Sequence, residues 1–123
     1  MNNKDQKWRY SESDCLKRLS AVEDAIYVIG GKWKLKIIIA IVSGHSRFNE
    51  LQRTIKGISA RVLSNELKIL EQNGLIQRVV YVDKSPVVVE YLKTEYTQSL
   101  KNVLEIISDW GRAHKNKITG KNF

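Results

Sequence analysis

The stretch GISARVLSNELKILEQNGLIQR, residues 57–78, constrains this chain more than any other, because both ends of a helix are written into it. Ser59 stands at an N-cap position, its hydroxyl able to accept from the free N–H groups of a first turn, and Ile58 before it can staple onto Leu63. Asn73-Gly74 offers a left-handed residue after the last turn, and Leu75 falls where a Schellman ending makes its apolar contact back to Leu70. The pattern predicts a helix over Ala60–Gln72, with Leu63, Leu67 and Leu70, flanked by Val62 and Ile69, as its buried stripe. The opposite face reads Arg61, Ser64, Asn65, Lys68 and Gln72, with Glu66 at its margin. Cations and short hydrogen-bonding groups are the types that contact phosphates and base edges. A solvated helix face is also commonly polar, so this helix alone does not choose between the two readings.

The flanking segments choose a fold class. A polar arm, residues 1–13, precedes a helix expected over Asp14–Val28, with Leu16, Leu19, Val22 and Ile26 inward and Gly30-Gly31 as its stop. A second helix is expected over Lys32–Ser43, carrying the apolar IIIAIV of a central core helix and ending at Gly44. Ser46-Arg47-Phe48 reads as a minimal strand, and Asn49 as the cap of a short helix through Ile55 with Leu51 and Ile55 inward. Two helices joined by a short glycine-containing turn make a helix-turn-helix. LIQRVVYV and VVVEYLK, β-branched and aromatic runs separated by DKSP, then form a hairpin with Lys84 and Ser85 at its tip. Thr94 is expected to cap a last long helix with Leu100, Val103, Leu104, Ile107 and Trp110 on one side, before Gly111. The fold class is therefore mainly α with a small β-hairpin wing, a winged helix-turn-helix occupying residues 14–110, and residues 111–123 form a basic tail.

In such a fold the second helix of the pair enters the major groove, so the polar face acquires a role. Arg61, Ser64, Asn65 and Lys68, with Ser59 at the helix start and Arg47 before the preceding helix, are the candidate DNA-binding residues, joined by Lys84 and Ser85 of the wing. Arginine can take guanine bidentately and asparagine can take adenine. The stripe on the last helix needs a cover, and a second copy of the chain supplies one: Leu100, Val103, Leu104, Ile107 and Trp110 are the candidate dimer interface.

Composition enters as a bound. The 123 residues suit one domain, and a net charge of +8 favours an anionic partner, nucleic acid or a membrane surface. Lys32, Lys34 and Lys36 cluster at a helix start, where the macrodipole disfavours cations unless an anion or water answers them. The longest apolar run, Ile37 to Val42, is far too short to span a bilayer, and the N-terminus lacks the apolar core of a signal peptide, so no membrane partner and a cytoplasmic location are expected. His45 and His114 are the only histidines and Cys15 the only cysteine, which excludes an internal disulfide and offers no metal-ligand spacing. No phosphate loop or nucleophile elbow occurs. No cofactor, no metal and no enzymatic activity are expected.

VIGGKWKLKII, RFNEL, GISARVLSNELKILEQNGLIQR, VEY and SLKNVLEIISDWG together resemble the HxlR-type winged-helix transcription regulators within the MarR-like group, over roughly residues 21–111. The resemblance implies a homodimer joined through its terminal helices, binding double-stranded DNA at a palindrome, often as a repressor, with some members switched by oxidants or small reactive electrophiles. Three departures stand out. Lys93 replaces a usual leucine before Thr94, Thr97 replaces a usual glycine, and Cys15 lies five residues before the usual cysteine position, which falls near Ser20. Cys15 is thus a candidate redox residue with a small core residue as the other reading. The alternative function is a winged-helix protein-interaction module without specific DNA binding, which needs an exposed apolar groove and does not need a cationic reading face.

Overall fold

Ser11 opens the first helix: its hydroxyl accepts from the Asp14 N–H at 3.1 Å, and Glu12 and Asp14 place negative charge where the helix dipole favours it. The computed structural model describes residues 8–120. The chain divides into two units, one ending at Gly31 and one beginning at Lys32. Within the first, helix α1 (Glu12–Ile29) starts two residues earlier than expected because Ser11 is the better cap. It has no buried residue, so Leu16, Leu19, Val22 and Ile26, expected inward, stand exposed.

The second unit runs α2 (Lys34–Val42), α3 (Phe48–Thr54), α4 (Ala60–Gln72), β1 (Ile76–Tyr81), β2 (Val88–Lys93), a 3-10 turn (Tyr96–Leu100) and α5 (Lys101–Thr119). Its core gathers Ile37, Ile38 and Ile41 of α2, Leu51 of α3, Leu63, Leu67 and Leu70 of α4, and Leu75 and Ile76 leading into β1. Burying side chains of this size contributes about 1.5–3 kcal/mol each. Only one face of α2 takes part. Ile39, within the run expected to be core, is 44% exposed, and with Val42 and Leu104 it walls a groove of about 470 Å³ that also borders Lys93, Thr97 and Lys101.

Ser46-Arg47-Phe48 forms no strand. Phe48 begins α3, so Asn49 lies inside the helix and Arg47 takes the N-cap position. An arginine side chain has no acceptor, and the free N–H groups are met by Glu50, whose Oε1 accepts from Ser46 N at 3.1 Å and Arg47 N at 3.5 Å. One backbone bond to the sheet remains, Tyr91 N to Ser46 O at 2.8 Å.

α4 has the expected bounds and both expected ends. Ser59 Oγ accepts from Val62 N at 3.1 Å. At the C-terminus Gly74, at φ +76°, donates to Glu71 O and Leu75 donates to Leu70 O, both at 3.0 Å, which completes a Schellman motif over the buried Leu70–Leu75 pair. The antiparallel hairpin pairs Ile76 with Lys93 and Tyr81 with Val88, leaving residues 82–87 as its tip.

The last helix differs from expectation at each end. Thr94 does not cap it. Its hydroxyl donates to Gly74 O at 2.7 Å, while Thr97, buried in the 3-10 turn, accepts from Thr94 N at 2.9 Å and donates to Leu75 O at 2.6 Å. The two threonines tie the entry of α5 to the exit of α4, which a glycine at position 97 could not do. At the other end α5 passes through Gly111, which keeps helical backbone; a glycine inside a helix costs only about 1 kcal/mol relative to alanine. Arg112, Lys115 and Lys117 of the expected tail are therefore helical. Lys121 and the other residues beyond Gly120 lie outside the described residues.

Candidate nucleic-acid interface

A reading helix needs a fixed axis, a fixed rotation and an outward face free of internal partners. The axis comes from the turn between α3 and α4, where Gly57 adopts φ +85°, a conformation costly for any residue with a Cβ. Rotation comes from burial: at about 100° per residue, inward Leu63, Leu67 and Leu70 put Arg61, Ser64, Asn65 and Lys68 on the opposite side. All four are exposed, and none of their side chains has a hydrogen bond or ion pair with another described residue. Ser59 keeps its acceptor role in the cap. The tip residues Lys84 and Ser85 are exposed, as is Arg47 at the start of α3.

Glu66, at the margin of the face, is turned inward. Its Oε1 meets Lys34 Nζ of α2 at 2.8 Å, with the two side chains 16% and 13% exposed. This answers the cluster at the start of α2 in a way the sequence did not suggest: the anion is a carboxylate of the reading helix itself. Lys32 and Lys36 lie over the Trp33 ring, 4.8 and 5.2 Å from its centroid.

A second polar group joins the wing to the start of α3. Ser46 Oγ donates to Glu90 Oε2 of β2 at 2.7 Å, His45 Nδ1 lies 3.0 Å from Glu50 Oε2, and the Tyr81 phenol of β1 interacts electrostatically with the same Glu90 carboxylate. The hydrogen bond from His45 is the main cause that holds the Glu50 carboxyl below its usual range, burial opposes it, and the backbone bonds from Ser46 N and Arg47 N each add a smaller lowering. The bond from Ser46 and then the Tyr81 phenol lower Glu90, and Glu90 in turn raises the Tyr81 phenol. Sequence reading missed Ser46, Tyr81 and Glu90. Ser46 and Glu90 are 44 positions apart, and no local pattern marks them as partners.

Of the dimer candidates, Val103, Leu104, Ile107 and Trp110 share one side of α5, and Leu100 ends the 3-10 turn before it. Val103, Ile107 and Trp110 are exposed, Ile107 at 48% and Trp110 at 66%, while Leu100 and Leu104 are half-buried. Beyond Gly111 the stripe continues through His114, stacked on Trp110 with ring centroids 4.9 Å apart, to exposed Ile118. Cys15 is a half-buried free thiol in the first turns of α1. Among the described residues no group of three or more His, Cys, Asp or Glu side chains could hold a metal ion, and no helix is long and apolar enough to cross a membrane.

Comparison with known proteins gives the same architecture. The family model described as HxlR-like helix-turn-helix matches residues 28–119. The chain is similar to the HTH-type transcriptional regulator YtcD of Bacillus subtilis, 39% identical over 103 residues that cover 84% of this chain and 81% of the relative. It also resembles the redox regulator HypR in its reduced form, with a TM-score of 0.74 at 34% identity, covering 82% of this chain and 99% of that one. The reduced form of the transcriptional regulator YodB from B. subtilis gives a TM-score of 0.66 at 36% identity, over 73% of this chain and 87% of that one.

The lowered carboxyls set an acid limit. A group whose folded pKa is depressed contributes stability that is fully present above its unfolded range, roughly pH 5 for glutamate, and lost as pH falls through the folded value. Unfolding free energy measured in urea should therefore fall below that pH, and Glu50→Gln should flatten the fall. An acid limb of unchanged slope in the variant would remove the Glu50 pair as its cause.

Proposed function

The chain belongs to the HxlR-like helix-turn-helix family, and on that premise we propose that it is a sequence-specific regulator which binds double-stranded DNA as a homodimer at a palindromic site, acting as a repressor. Relatives are named as transcriptional regulators rather than enzymes. The observation that carries the reading is the α4 face: Arg61, Ser64, Asn65 and Lys68 exposed and unpaired, while the one acid at its margin, Glu66, is withdrawn onto Lys34. A protein-interaction module would not require such a face. The apolar groove beside α5 suits that alternative, and in the present reading a second copy of the chain covers the adjoining stripe.

Sequencing DNA selected by the purified protein from a random pool tests the class: an enriched palindrome supports the proposal, and no enrichment at low salt favours the protein-interaction module. Against the selected site, Arg61→Ala and Asn65→Ala should each lose about 1–3 kcal/mol at particular base pairs, whereas Lys84→Ala should weaken all sequences alike. Equal losses for Arg61→Ala on every single-base variant would rule out base reading by that residue.

A two-fold axis through α5 would set two reading helices about 34 Å apart, one turn of DNA, and so demand a palindrome. Replacing Leu104 and Ile107 together with glutamate puts four carboxylates into one symmetric interface, where unpaired buried charge costs several kcal/mol. The variant should sediment as a monomer while keeping its helical circular dichroism. A folded variant that stays dimeric places the interface elsewhere, with the arm around Trp8 and Tyr10 next.

HypR is described as a redox regulator. An oxidant response in this chain would run through its single thiol, Cys15. Peroxide or a quinone should then release DNA from the wild type and leave Cys15→Ser bound; identical behaviour of the two proteins would return Cys15 to a packing role.

A further inference from the structure

A two-stranded hairpin is marginal on its own and takes its direction from what its strands touch. At its base this wing is tied by buried Leu75 and Ile76 and by the Thr94 and Thr97 hydroxyls on Gly74 and Leu75. Beyond Tyr81 and Val88, residues 82–87 are all exposed. Between base and tip one residue outside the hairpin holds it through both backbone and side chain. Ser46 accepts from Tyr91 N through its carbonyl at 2.8 Å and donates from its hydroxyl to Glu90 at 2.7 Å. Its own N–H is spent on Glu50, within α3, so Ser46 is fixed to the helix-turn-helix while it grips β2. Tyr81 lies diagonally across the ladder from Glu90, on the same face, and its phenol interacts electrostatically with that carboxylate from β1. One side chain of β2 therefore ties the hairpin to the helix-turn-helix.

We propose that Glu90 is the positioning residue of the wing, and that Lys84 reaches the DNA backbone only while Glu90 holds Ser46. The proposal rests on the DNA-binding reading above. Its leverage is geometric. Lys84 lies two strand residues and one turn beyond Val79, the cross-strand partner of Glu90, a turn closed by Lys84 N on Tyr81 O at 3.3 Å, which gives a lever of roughly 12 Å. A swing of about 20° at that pivot carries the tip through about 4 Å, more than a lysine–phosphate contact tolerates.

Two measurements test this, one without DNA. Amide hydrogen exchange on the free protein should show the Tyr91 N–H at least about tenfold faster in Glu90→Ala than in wild type, with Leu67 and Leu70 of α4 unchanged; unchanged Tyr91 exchange overturns the clamp. The second is the salt dependence of binding to a duplex. Each lost phosphate contact lowers the slope of log K against log salt by about 0.9. Lys84→Ala and Glu90→Ala should each lose that amount and the double variant no more, whereas Glu90→Ala and Arg61→Ala should multiply. Glu90→Gln, whose amide oxygen still accepts from Ser46, should restore the wild-type slope, and Ser46→Ala should copy Glu90→Ala without deleting the carboxylate. Additive losses for Glu90 and Lys84 overturn the proposal. A wild type that binds no duplex defeats the functional reading instead, and the exchange result then decides the clamp alone.

Discussion

The burial of Leu63, Leu67 and Leu70 on one side of α4 is the constraint on which the rest of the helix-turn-helix depends. A helix whose apolar stripe is removed from water has one rotation about its axis, so the identity of its outward residues is settled by packing before any partner is present. The ends are settled as firmly, by Ser59 at one and the Gly74–Leu75 ending at the other, and the second also sets where β1 begins. The Lys34–Glu66 pair adds a directional contact to a non-directional one. Apolar burial alone would tolerate a small roll of α4 on α2, whereas an ion pair at 2.8 Å with both partners largely out of water would not, because a separated charge would be left poorly solvated.

Charge is sorted by the same packing. Residues 44–93 carry eight basic and five acidic side chains, a modest excess in sequence. Three of the five acids are committed internally: Glu50 to His45 and the start of α3, Glu66 to Lys34, Glu90 to Ser46. Arg61, Lys68 and Lys84 have no such commitments among the described residues. The field around the outward face of α4 and the hairpin is therefore more positive than the count implies, since the carboxylates that would oppose it are turned to structural use.

Legibility in the sequence followed the range of the interactions. The bounds of α4, its Schellman ending and the hairpin rest on contacts within a few residues, and each was readable from spacing and turn residues. Thr97 was visible as a departure from the resembling family, but its bonds to Thr94 and to Leu75, 22 positions away, were not. Gly111 misled because a glycine is a stop signal only where the chain leaves the helical region, and the stripe through His114 and Ile118 gave α5 reason to continue. Asn49 misled because a good capping side chain is not needed where Glu50 reaches back to the free N–H groups. The Ser46–Glu90 and Lys34–Glu66 pairs join segments distant in sequence, and only the folded chain brings them together.

These interaction types divide the labour between α4 and the hairpin, the two elements proposed to face DNA. α4 is held by a dry apolar face whose exposure would cost several kcal/mol, so it cannot tilt without disrupting the core. The wing is held midway by exposed or half-exposed polar contacts, each worth on the order of 1 kcal/mol because water competes for both partners. A rigid helix suits contacts to base edges, where a misplaced donor loses its bond. A hairpin held less tightly suits contacts to phosphate, whose charge is felt over a longer distance and whose spacing varies little with sequence. In the proposed reading, stiffness is greatest where recognition of sequence would demand it, and it declines along the wing toward the residues whose contacts would be least exacting.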